Sequence, residues 1–210
     1  MSIKLSNNIH KITFDTLIVA SHNPHKIEEI RSILSDFPVR ILSLRELDWR
    51  VAHQEDGQSY YENAVKKAKA VVEHFGQPVL AEDSGLEVDA LGGEPGIHSA
   101  RYAGEGASDE ANNQKLLAAL SGVPAPQRGA RYRCTLVLMF PQGEVYSWEG
   151  VFEGRITCAP RGEGGFGYDP LFFVPEYGKT LAELGYEIKN KISHRARALA
   201  KLRKFFQNSC

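Results

Sequence analysis

Two hydrophobic rhythms alternate along this chain. Residues 16–20, TLIVA, form an unbroken apolar run rich in β-branched side chains, which predicts a buried strand. The rhythm then changes. Ile27, Ile30, Ile33 and Leu34 recur at helical spacing, with Asn23 as N-cap and Pro24 at the first helical position. Residues 39–44 predict the next strand. Ser59 and Glu62 have the spacing of a capping box. Tyr61, Ala64, Val65, Ala68, Val72 and Phe75 then keep helical spacing as far as Gly76, a C-terminal cap.

Residues 78–81 predict a short buried strand that runs into two acids, Glu82 and Asp83, with a turn expected at Gly85. Residues 109–120 predict a helix. Residues 132–140 and 144–157 predict a hairpin around Pro141, Gln142 and Gly143, or a longer meander. Thr180 and Glu183 are placed to cap a short helix. A last helix is expected over residues 193–206, with Ser193 as its cap. Strands and helices mix, and strands follow one another late in the chain. This predicts an α/β fold of the mixed α+β kind, with a mixed sheet flanked by helices.

The 210 residues suit a single domain, with residues 1–14 as a polar extension. No repeat or low-complexity segment interrupts them. Lys plus Arg is 25 and Asp plus Glu is 26, a formal net charge of −1. A near-neutral chain is a poor general binder of nucleic acid. The N-terminus has no signal-peptide pattern, and no apolar run reaches membrane-spanning length. Three scattered cysteines, Cys134, Cys158 and Cys210, form no C-x-x-C pair, so a reduced, cytoplasmic protein is expected.

Candidate chemistry lies at four places. In SHNPHK, residues 21–26, a helix start follows a strand, which makes an anion site from free N–H groups. Lys26 falls at the third helical position, where a cation opposes the helix dipole, and a bound phosphate would explain it. A solvated lysine is the plain alternative. His194 and Arg195 repeat that misfit at the last helix, with Lys189 and Lys191 just before it.

The glycine-rich GGFGYDP allows close backbone approach, and Phe166 and Tyr168 offer planes for a base. The plain alternative is a floppy turn. Glu82 and Asp83 are strand neighbours, so they face opposite ways and do not form a dyad. Asp83 with Glu55 has the donor chemistry of a Mg²⁺ site completed by water and phosphate. Phosphate sites, a carboxylate metal site and an aromatic loop together point to a nucleoside triphosphate with Mg²⁺.

The same blocks resemble the inosine triphosphate pyrophosphatase family, the Ham1-like proteins. SHNPHKIEEI is similar to that family's T-G-N-x-x-K-x-x-E-[IL] opening, and YENAVKKAKA to its E-N-A-x-x-K-A helix. LAEDSGLEVDALGGEPGIHSARYAG, GGFGYDPLFF and KNKISHRARAL complete five ordered motifs, from Leu17 to about Leu199. His22 stands where the family has glycine, and Ser21 where threonine is common.

The resemblance implies an elongated sheet between two lobes, a central substrate cleft and a homodimer. It implies hydrolysis of ITP, dITP and XTP to the monophosphate and pyrophosphate with Mg²⁺. Carried onto this chain, Ser21, His22, Asn23, Pro24, His25 and Lys26 hold the phosphates together with Lys67. Glu55 and Asp83 bind the metal, Asp83 also helps activate water, and Ser84 contacts substrate. Phe166, Gly167, Tyr168 and Asp169 embrace base and sugar, Lys189, His194 and Arg195 read the purine, and Arg101 lies near the cleft. The alternatives are a Maf-like pyrophosphatase for modified pyrimidine or methylated nucleotides, or a non-catalytic nucleotide-binding module. Maf-like openings run closer to A-S-x-S-P-R-R, whereas this chain has Asn23 and Lys26.

Overall fold

The computed structural model describes residues 14–50 and 56–209. The extension expected at residues 1–14, with the exception of Phe14, and the metal candidate Glu55 lie outside them, as does Cys210.

Seven strands form one sheet in the order β2-β1-β3-β4-β5-β6-β7. They are β1 (Thr16–Val19), β2 (Arg40–Ser43), β3 (Val79–Val88), β4 (Gly129–Met139), β5 (Val145–Ile156), β6 (Phe172–Val174) and β7 (Lys179–Thr180). The first three run parallel and β3 to β7 antiparallel, so the sheet is mixed, as expected. The helices are α1 (Pro24–Ile33), α2 (Tyr60–Phe75), α3 (Asp109–Ala119), α4 (Leu181–Leu184), α5 (Tyr186–Ile192) and α6 (His194–Ser209).

Local signals set most of these boundaries. Asn23 caps α1, its side chain accepting from the N–H groups of His25 and Lys26. Ser59 caps α2, and Gly76 ends it at φ 59°. The expected capping box there is only half made. Ser59 Oγ takes the Glu62 N–H, but Glu62 reaches back to the N–H of Gln58 instead. Thr180 and Glu183 do form a full box on α4.

Hydrophobic cores lie at both ends of the sheet. At the parallel end, α1 and α6 cover one face through Leu17, Ile30, Leu80, Leu136 and Leu202. The other face there is covered by α2 through Ala64, Ala68, Val71, Ala81 and Val137. At the antiparallel end, Leu86, Tyr132, Phe152 and Phe172 pack with Leu116 of α3 and Leu181 of α4. The long strands β3, β4 and β5 join the two lobes.

The β3 strand departs from the sequence reading. It does not stop at Ala81 or turn at Gly85. It runs on to Val88, paired with β4 throughout. Gly85 is needed for space. A Cβ there would meet Ser99 Oγ at 2.7 Å and Tyr60 Oη at 2.9 Å, and would press on the Gly96 carbonyl. The 3₁₀ segment Gly96–Arg101 therefore lies directly against β3. Gly85→Ala is expected to cost about 2 kcal/mol or more through this overpacking, read as a lower urea midpoint.

Candidate active site

Beyond Leu80, β3 has no β1 partner, because β1 pairs only with Val79 and Leu80. The two lobes meet over this stretch of edge. A cavity of about 130 Å³ opens there, lined by residues of α1, β3, α3, the glycine-rich loop, α5 and α6.

On one face of β3, Glu82 sits in a chain of alternating charges. Lys26 Nζ lies 2.9 Å from its Oε1, and Arg195 grips both oxygens, Nη2 to Oε1 at 2.8 Å and Nε to Oε2 at 2.6 Å. Arg195 also donates to Glu29, whose other oxygen is 3.1 Å from Lys189 Nζ. Lys189 in turn donates to Asp169 Oδ2 at 2.6 Å. Glu29, Glu82 and Arg195 are 1%, 3% and 1% exposed. Three carboxylates thus neutralise three cations out of water, where an unmatched charge is costly. Burial pushes the Glu82 carboxyl up, but Arg195 and Lys26 outweigh it and hold it well below the carboxylate range.

The Lys26 misfit has a partner within the protein itself. Lys26 already has a protein carboxylate, and its Nζ is also 3.2 Å from Ser84 Oγ. Arg195 and Lys189 line the cavity, yet their charges are spent on Glu82, Glu29 and Asp169. These pairs hold the walls in register. Lys189 also lies inside α5, an unexpected helix, rather than in a loop before α6.

His194 packs flat on Tyr132, ring centroids 4.7 Å apart. Burial and the neighbouring Arg195 press its pKa well below the ordinary histidine value, so the ring is neutral. Its buried Nδ1 has no protein partner. Among the described residues, it is the cavity's one ring nitrogen awaiting a hydrogen bond. Gly150 makes its position possible, since a Cβ there would strike the His194 carbonyl and meet Ala198 N at 2.6 Å.

The glycine-rich loop is pinned. Phe166 N–H donates to Asp169 Oδ2 at 3.0 Å, and Tyr168 O–H to the Ser99 carbonyl at 2.8 Å. The Phe166 ring lies between His25, stacked at 5.3 Å, and Lys189 Nζ, 4.0 Å from its centroid. Burial pushes the Asp169 carboxyl up, with Lys189 and the Phe166 N–H pulling the other way.

On the opposite face of β3, Asp83 accepts from Lys67 Nζ at 2.8 Å and Asn63 Nδ2 at 3.1 Å, both from α2. The two acids do face apart, as strand parity requires. Asp83 supplies the hard oxygen that Mg²⁺ prefers. No three His, Cys, Asp or Glu side chains form a metal cage among the described residues. Mg²⁺ does not require one, since water and substrate phosphate fill most of its positions. The residues present therefore fit the ion.

Some expected residues stand outside the cavity. His22 and Pro24 face a larger open groove of about 710 Å³, alongside Arg31, Arg45 and Tyr186. Arg101 ends the 3₁₀ segment and reaches Glu105 at 3.4 Å. Ser21 supports the turn, its Oγ accepting from Asn23 N–H at 3.2 Å. Sequence reasoning missed Glu29, Tyr132, Asp109, Asn112 and Asn113. The last three share a helix that buries two asparagines beside Leu116, and that break in the apolar stripe was their signal.

The Ham1 family model matches residues 17–205. A dITP/XTP pyrophosphatase of Geobacter sulfurreducens is 53% identical over 187 residues, spanning 89% of this chain and 94% of that protein. One from Bacillus subtilis is 48% identical over 190 residues, spanning 90% and 96%. The solved Ham1 protein of Staphylococcus aureus superposes with a TM-score of 0.83 at 40% identity, covering 93% of this chain and all of that one. A structure described as nucleoside-triphosphatase / dITP/XTP pyrophosphatase from Mycobacterium abscessus gives 0.73 at 42%, covering 89% and 98%.

Proposed function

This chain belongs to the Ham1 family, and from that premise we propose that it is a pyrophosphatase for deaminated purine nucleoside triphosphates. ITP, dITP and XTP are hydrolysed to the monophosphate and pyrophosphate. The observation that carries the reading is the identity of about half the residues to dITP/XTP pyrophosphatases over nine tenths of the chain. The cavity supports it. A neutral, buried imidazole with an unsatisfied nitrogen suits the edge of a base, and Phe166 suits its face.

The base enters the cavity, and the triphosphate crosses the uncovered edge of β3. Lys26 meets it on one face and Lys67 on the other. Asp83, oriented by Lys67 and Asn63, aligns a water with the α-phosphorus and receives its proton. The new P–O bond forms as the bond to the bridging oxygen breaks, and pyrophosphate leaves with its charge offset by the lysines. When bound, Mg²⁺ held by Asp83 and Glu55 supplies charge neutralisation at the phosphates and a more acidic water. His194 donates to the 6-keto oxygen. A 6-amino group in that place sets donor against donor, which disfavours ATP.

The reading extends to a cytoplasmic homodimer, supported by the family resemblance alone. No helix of the described residues is long and apolar enough to cross a membrane. The test is product analysis with XTP, dITP, ITP, GTP and ATP, with Mg²⁺ and after chelation. XTP giving monophosphate and pyrophosphate, little turnover of ATP, and loss on chelation are expected. Orthophosphate release, or equal use of ATP, overturns the reading.

A further inference from the structure

We propose that Asp109 and Asn113 of α3 are positioning residues that set the aromatic wall of the cavity by gripping Gly167. This rests on the pyrophosphatase reading for its substrate, though the grip itself does not. Asp109 Oδ2 accepts the Gly167 N–H at 2.6 Å, and Asn113 Nδ2, one helical turn later, donates to the Gly167 carbonyl at 2.9 Å. Both backbone groups of one residue are thereby held by one face of one helix.

Gly167 takes φ 62°, a left-handed conformation that glycine adopts without a Cβ penalty. Phe166, the residue before it, lines the cavity, and so does Tyr168 after it. Phe166 also lines a second cavity of about 190 Å³, with His25, Glu29 and Gly165. Its ring therefore stands between two spaces, touched by His25 and by Lys189 Nζ. Those contacts steady the ring, and the backbone anchor at Gly167 sets where it stands.

The helix itself argues the same role. A helix on a lobe surface ordinarily turns an apolar stripe inward. The buried residues of α3 are Asn112, Asn113 and Leu116. Asn112 serves the facing wall: its Oδ1 accepts from Ala103 N–H at 2.7 Å and its Nδ2 donates to the Ala100 carbonyl at 3.2 Å. Ala100 and Phe166 are both cavity residues. The helix thus holds two walls at a fixed separation by hydrogen bonds, which are directional where apolar packing is not. The width of the slot that accepts the base follows from this span.

Asp109→Ala, Asn113→Ala and Asp109→Asn test the proposal. Asp109 is exposed, so its alanine variant is expected to fold; Asn113→Ala is the buried counterpart. Both alanine variants should raise KM for XTP about fivefold to tenfold with kcat within about twofold, since loss of a stacking wall weakens binding by that order. Preference for XTP over ATP should narrow in step. Asp109→Asn keeps an acceptor oxygen and should restore KM. Amide hydrogen exchange at Gly167 should quicken in Asp109→Ala and not in Asp109→Asn. Unchanged KM and unchanged Gly167 exchange in Asp109→Ala would overturn the proposal, as would equal losses in Asp109→Ala and Asp109→Asn. If the wild-type protein does not turn over XTP, the functional reading falls, and Gly167 exchange alone then decides the grip.

Discussion

Asp83→Asn is expected to lower kcat on XTP by about a thousandfold while nucleotide binding stays measurable, the scale of losing a positioned acid–base group. The reason is geometric. Asp83 is buried on α2's side of β3, held by Lys67 and Asn63, with its partners fixed before substrate arrives. Asparagine matches its shape and can still accept from Lys67. It brings no charge to a metal and no base to a water. Steady-state kinetics and equilibrium binding of XTP separate the two effects. A variant within tenfold of the wild-type kcat would remove Asp83 from the chemistry.

The second large effect is on stability. Glu82→Ala is expected to cost about 3–5 kcal/mol, because it leaves Arg195, Lys189 and Lys26 facing only two carboxylates, Glu29 and Asp169, in a dry site. Urea unfolding at neutral pH reads this directly. The same carboxylate makes a pH prediction for the wild-type protein. Its folded pKa lies well below the ordinary 4.5, so the unfolded chain takes up the proton first. The Glu82 contribution is therefore full above about pH 4.5 and is lost as the pH drops through the folded value. His194 adds an earlier loss. Its folded pKa lies well below 6.5, so the unfolded chain gains that proton first as the pH falls past 6.5. Unfolding midpoints should decline in two stages, and His194→Gln should remove the first. A flat profile from about pH 6.5 down to 5 would contradict the first stage, and a flat one on further acidification below about pH 4.5 the second.

What the sequence disclosed follows the range of the forces. The α1 start was legible because Asn23, His25 and Lys26 are neighbours, and a cap is a local bond. The α4 box was legible for the same reason. The split of Glu82 from Asp83 followed from strand parity alone. By contrast, α5 begins at Gly185 with no capping side chain, so nothing announced it. Gly85 misled because its constraint comes from Ser99 and Tyr60, far along the chain. Arg195 and Glu82 are 113 residues apart, so their pairing was invisible in the sequence. Glu29 looked like any solvated acid on a helix until Arg195 and Lys189 closed on it.

The continuity of β3 has one more consequence. Two acids stand next to each other, and only their even or odd place in the strand decides which meets Arg195 and which meets Lys67. Inserting one residue before Glu82 would leave composition and net charge nearly untouched. It would nonetheless turn Glu82 toward Lys67 and Asp83 to the face of Arg195. The longer acid would then crowd the place fitted to Asp83, while Asp83 would stand where Ser84 does, away from the Arg195 pair, and both arrangements would be lost together. At this point the protein reads its own sequence modulo two.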